Sequence, residues 1–167
     1  MKVASAYGTA IFYGDFVKLV AAGTVEKAAV TTAVVAGTVG IFVGCSYTDP
    51  STSQLTFNQQ YPASTTASDI MAYVVDDPKI VLKMQGDEAI AQTGLGNNIS
   101  AVSTAGSTAI GRSKNALDGG SIATTNTLPL RILEFVDGPS STVGDAYTDC
   151  LVTYLPLSHA YETKLGV

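Results

Sequence analysis

The sequence predicts an all-β domain, a small barrel or sandwich with one short helix and extended loop or terminal arms. Three observations predict it. Apolar and small residues alternate with period two in several short segments, and Gly, Pro and Asp clusters punctuate those segments. Only residues 86–94 carry a helix signal. At 167 residues, 46% of them hydrophobic, the chain is long enough for one domain burying roughly 70% of its unfolded surface.

Residues 1–13 read as an N-terminal arm leading into a short strand, the domain proper spans 14–156, and 157–167 form a polar C-terminal tail, free or reaching a neighbour. Residues 15–20 and 25–30 make a hairpin about the Ala21-Ala22-Gly23-Thr24 turn. A looser Thr/Ala/Gly passage comes next. The most strongly patterned strand is 39–48, where alternation puts Val39, Ile41, Val43, Cys45 and Tyr47 on one face and Gly40, Phe42, Gly44 and Ser46 on the other. Asp49-Pro50-Ser51 is a turn, and 54–58 a short strand with Leu55 and Phe57 on one face.

Residues 69–76 are apolar on both faces, which places them mid-sheet or between layers. Asp76-Asp77-Pro78 turns them into a compact pair with 79–85. In 86–94, Asp87 can cap a helix, Glu88 suits its first turn and Gly94 can end it. Residues 95–127 are rich in Gly, Ser, Thr, Ala and Asn, and read as an extended excursion with short strands, ordered mainly by contact with a neighbour. Residues 128–136 and 149–155 form a long-looped hairpin, with Pro129 suited to a strand start or edge.

Charged residues make up only 14% of the chain, against about a quarter in ordinary soluble domains. So neutral a surface points to partners. A net charge of −5 argues against nucleic acid, which wants a basic stripe. Residues 28–43 are too interrupted by Thr and Gly for a membrane-spanning helix, and the first 15 residues lack the apolar core of a signal peptide.

Chemical motifs are scarce, and the expectation is no catalytic, cofactor or metal residue. The single histidine, His159, has no partner that would make it a base. Cys45 and Cys150 lack metal-binding spacing; they are two buried thiols or a single bridge across the sheet. Turn chemistry accounts for Asp76 and Asp77 without a metal, and nothing favours pairing Asp69 with Glu134 as a glycosidase couple. The glycine pairs at 37–40 and 94–96 precede no phosphate-binding helix, and Asn98-Ile99-Ser100 matches a glycosylation sequon by chance. Arg112 and Lys114 put two positive charges in a neutral loop, either solvated or facing acidic groups on a partner.

The segments Gly14-Asp15-Phe16-Val17-Lys18-Leu19, Gly23-Thr24-Val25-Glu26 and Val39-Gly40-Ile41-Phe42-Val43-Gly44, with residues 69–78 and Ile110-Gly111-Arg112-Ser113, resemble small β-rich capsid decoration (cement) proteins of tailed bacteriophages. That resemblance implies a non-enzymatic virion structural protein on the outer capsid surface, stabilising the shell by bridging major capsid protein subunits. It further implies self-association, as in trimers at three-fold positions, assembly in the host cytoplasm and hence free thiols. The interface is expected at the N-terminal arm, with Tyr7 and Phe12, and at the loop carrying Arg112 and Lys114. A fibre, tail or adhesin-type module binding a host surface molecule is the alternative. Eight tyrosines support it, and the absence of tryptophan weakens its carbohydrate-binding form.

Overall fold

The computed structural model describes residues 1–31, 37–163 and 166. Its strands are β1 (Phe16–Leu19), β2 (Val25–Lys27), β3 (Thr38–Thr48), β4 (Leu55–Asn58), β5 (Met71–Val75), β6 (Val81–Gln85), β7 (Asn98–Val102), β8 (Ala116–Ala123), β9 (Leu130–Phe135) and β10 (Asp149–Tyr154). They form two five-stranded sheets, both antiparallel. The first runs β2-β1-β3-β4, with β5 also on β3; the second runs β6-β10-β9-β7-β8. The arrangement is sandwich-like and neither sheet closes into a barrel. The all-β expectation holds.

The β1–β2 hairpin turns as its sequence requires. Gly23 adopts φ 71°, and the Val20 and Thr24 backbones close the turn. The looser passage after it falls mostly at 32–36, outside the described residues. Strand β3 organises the first sheet. Ile41 pairs with both Phe16 and Val75, while Ser46 pairs with both Phe57 and Met71. Strand β5 therefore takes one edge of β3, and β1 and β4 share the other.

The strict alternation expected along β3 does not occur. Its pairing with β1 skips Val39 and its pairing with β5 skips Val43, and each bulge reverses the parity of the residues beyond it. Val39, Phe42, Cys45 and Tyr47 consequently enter one core, while Ile41 packs against another.

The first core also holds Val3, Ile11, Val17, Tyr61, Ile70 and Ala72. Residues 1–13 thus lie folded onto the first sheet instead of forming a loose arm: Ile11 bridges Tyr61, and Lys2 bridges Met71. The second core collects Ile90, Ile99, Leu117, Leu130, Ile132, Cys150 and Val152 from the second sheet and its loops, closed by Phe16 from β1. Neighbours on β1 serve different cores, Phe16 the second and Val17 the first. This part of the first sheet is buried on both faces.

Four further expectations are corrected. The helix at 86–94 reduces to one 3-10 turn, Gln92–Gly94. Asp87 does not cap it; its carboxylate accepts the Gly119 N–H instead. Such a short segment gains too little from helical hydrogen bonds. The short strands expected in 95–127 are present as β7 and β8, but they are ordered by the chain's own second sheet and core, where they bury Ile99, Ala101 and Leu117, instead of by a neighbour. Strands β5 and β6 do not pair with each other but belong to different sheets, and β5 pairs only with β3 among the named strands. The C-terminal segment is held, with Ser158 and His159 buried and the Ala160 N–H bonded to the Thr38 carbonyl. The β9–β10 hairpin forms as expected.

Candidate functional site

The first sheet overhangs the second. Residues directly opposite in a ladder share a face, so Val75 lies on the face of Ile41 and Phe16, which packs towards the second sheet. Further along β3, the same face carries Phe57, Ser46 and Met71 in one row, with Tyr73 opposite Gly44 and Leu55 opposite Thr48. Nothing among the described residues covers it there: Phe57 is 70% exposed and Leu55 63%. Gly44, Ser46 and Thr48 make a floor of small residues between two rails of large apolar ones, and the Tyr73 hydroxyl donates to Ser46 Oγ at 2.9 Å. The unfavourable hydration of these side chains makes the overhang the foremost candidate for a docking surface.

An open hollow of about 720 Å³ lies beside this face, lined by Tyr13, Gly44, Phe57, Tyr73 and Arg112 among others. A second of about 260 Å³ opens between the sheets, where Phe16 and Ile41 face Leu82, Lys83, Met84 and Gln85 of β6. Tyr13 and Arg112 line both. Their backbones form a parallel bridge, in which the Tyr13 N–H donates to the Gly111 carbonyl at 3.0 Å and the Ser113 N–H to the Tyr13 carbonyl at 2.9 Å.

That junction is anchored by Asp15, which is fully buried. Its carboxylate accepts from the Phe12 N–H at 2.9 Å, the Ser113 hydroxyl at 2.6 Å and the Asn115 side-chain amide at 3.3 Å, and it pairs with Lys27 Nζ at 2.9 Å. One buried carboxylate thus ties together β2, the start of β1 and the loop that presents Arg112. The network offsets the cost of burying its charge.

The four residues expected at an interface separate. Arg112 is exposed and lines both hollows. Lys114 is exposed but lines neither. Tyr7 is half-buried against Tyr61, and its hydroxyl accepts the Lys27 N–H at 3.2 Å. Phe12 is only 5% exposed: its ring lies against Gly106, where any Cβ would collide with it, and beneath Lys27 Nζ, 5.8 Å from the ring centroid. Phe12 is a core residue and cannot present an apolar surface to a partner. The sequence does not single out Tyr13, Leu55, Phe57, Met71 and Tyr73 as interface residues. The alternation at Leu55 and Phe57 is legible there, but which face is left uncovered depends on the reach of the second sheet.

The polar groups read as structural. Asp77 accepts the Lys79 N–H in its turn, and Asp76 the Tyr161 hydroxyl. Asp69 is held by Thr48, whose bonds lower its pKa, and lies in the first sheet's half while Glu134 is on β9. His159 is buried: Nδ1 accepts the Tyr161 N–H, so Nε2 donates to the Val39 carbonyl at 3.0 Å. Both cysteines are free and lie in different cores, Cys45 in the first and Cys150 in the second. Burial pushes each thiol up to about 11. Among the described residues, one grouping could offer three carboxylates to a cation, Asp87, Glu88 and Asp118, with ligand atoms within 4.8 Å of one another. Two of the three are exposed, and hydrogen bonds from Gly119 and Ser100 already engage Asp87 and Asp118.

Comparison of the chain with protein-family models, with curated proteins and with solved structures gives no match.

Proposed function

We propose that this chain is a non-enzymatic structural protein of a tailed-bacteriophage virion. It binds the outer surface of the assembled capsid and stabilises it by bridging major capsid protein subunits. The resemblance of its hairpin and β3 segments to capsid decoration proteins suggests this reading. The observation that carries it is the uncovered apolar overhang, Leu55, Phe57, Met71 and Tyr73, on a chain with few charges. Such a face suits a broad contact made by shape and apolar burial, not a reaction centre. A protein that binds only the assembled shell stabilises it by mass action. Self-association, as a trimer at three-fold positions, would use a further part of the neutral surface.

Co-sedimentation with phage heads lacking the protein tests the proposal. Saturable binding to expanded heads, none to unexpanded ones and greater heat resistance of the decorated shell are expected. Absence of binding to either form refutes it. A second reading, a module that binds a host surface molecule, is favoured by the aromatic hollow of Tyr13, Phe57 and Tyr73 beside Arg112. It predicts binding to host cells that a soluble surface fragment competes away.

A further inference from the structure

We infer that the crook between the two sheets is a recognition groove for an extended, acidic segment of a partner protein, which adds as a strand to the free edge of β6. The inference concerns how a partner is held and stands whether or not that partner is a capsid subunit. Three independent observations converge on it.

The first is an open sheet edge. Strand β6 ends the second sheet and pairs along its length with β10. On its other side Gly86, just past its end, bridges Leu117 of β8, and the stretch of β6 before that bridge has no strand partner there among the described residues. The unpaired backbone groups of such an edge are a template for another strand. The second is the position of the smaller hollow. It is lined by Leu82, Lys83, Met84 and Gln85 in succession. Alternate residues of a strand point to opposite faces, so a space touching four consecutive ones lies against the strand's edge. Its opposite wall is Phe16 and Ile41, an apolar surface for side chains of an added strand.

The third is charge. Arg112 lines both hollows and is exposed. No ion pair or side-chain hydrogen bond engages its guanidinium among the described residues, whereas Lys27, Lys79 and Lys83 each hold a carboxylate. A free guanidinium between apolar hollows selects a carboxylate with two parallel hydrogen bonds. The occupant is therefore an extended segment with apolar side chains at alternate positions, for the inter-sheet hollow and the Phe57–Tyr73 hollow, and a Glu or Asp facing Arg112.

The test uses the whole protein and fluorescein-labelled peptides of about seven residues, the length of an ordinary strand. These alternate Val or Tyr with Ser around a central Glu. Matched peptides carry Lys in place of Glu, or N-methyl groups on alternate backbone nitrogens. Fluorescence anisotropy is expected to show saturable binding of the Glu peptides, weakened roughly tenfold or more by the change to Lys and by N-methylation. The exposed substitution Arg112→Glu should reverse the preference in favour of Lys, with the circular dichroism spectrum unchanged. Failure of every Glu peptide to bind overturns the inference, as does binding indifferent to N-methylation or to Arg112→Glu. Self-association of the protein alone that Arg112→Glu abolishes would also overturn it, because the groove would then hold a second copy. Failure to sediment with phage heads, alongside peptide binding of the expected kind, would reject the capsid reading and leave the groove.

Discussion

The two halves of β3 show how one strand serves burial at one end and exposure at the other. Around Ile41 the strand has β1 and β5 on its flanks, and Phe16 and Ile41 pack into the second core. Beyond the bulge at Val43 the flanking strands are β4 and β5, and the continuation of the same face carries Gly44 and Ser46 between exposed Phe57 and Tyr73. Hydrophobicity does not separate the two ends, since both are framed by large apolar residues. The reach of the second sheet does. Apolar character along a strand therefore marks what a surface could bury and leaves open who supplies the cover.

Four substitutions probe how the covered and uncovered ends of β3 differ. The largest effect is expected at Gly40, where φ is 148° and a Cβ would fall on the Val75 carbonyl of β5. Gly40→Ala must push β5 away from the covered half, at a cost of about 5 kcal/mol or more, comparable to the whole stability of a modest domain. Loss of the cooperative transition in urea unfolding is the expected readout. Next is Phe42→Ala, which empties a fully buried position in the first core. It should lower the unfolding free energy by about 4 kcal/mol.

A smaller effect concerns His159, which links the C-terminal segment to Val39 at the start of the covered half. Burial holds its imidazole below the ordinary value of 6.5, against the raising influence of the Val39 carbonyl and of Glu162, Asp76 and Asp77. Between that depressed value and 6.5, the unfolded chain binds a proton that the folded chain refuses. Stability therefore falls as pH drops below about 6.5 and levels off once the folded imidazole is also protonated. His159→Gln removes this contribution, so unfolding curves between about pH 7.5 and 5.5 should depend less on pH in the variant. The smallest effect belongs to the uncovered half. Phe57→Ala should change stability by no more than about 0.5 kcal/mol while weakening attachment to expanded heads. A large stability loss would mean that Phe57 supports the sheet instead of a partner.

Much of the strand inventory is legible from local pattern. Alternation and turn residues locate β1, β3, β4, β9 and β10 with small boundary shifts, because each signal lies within a few residues of chain. The features that escape a local reading depend on distant partners. The bulges at Val39 and Val43 arise where β1 and β5 meet β3; Gly40 and Gly44 beside them are a local sign of irregularity, but the alternation of 39–48 does not tell which residue is skipped. The placement of β7 and β8 in a stretch poor in apolar residues comes from Ile99 and Leu117 meeting β9 and β10 residues in the second core. At the candidate site, Arg112 is recognisable as a charge out of keeping with its loop. Phe12 and the overhang are not, since burial of the first comes from Gly106 and Lys27 and exposure of the second from where another sheet stops.

The separate placement of the cysteines gives each core its own built-in clock. Cys45 and Cys150 are both buried and unpaired, so a thiol-alkylating reagent can reach either only when its core opens. Following the two labelling rates by mass spectrometry, without any mutation, resolves local opening in one half from opening in the other. Equal rates would describe a single cooperative unit. A faster Cys45 would describe a first sheet that loosens while the second holds, leaving the uncovered apolar face on the more adaptable half.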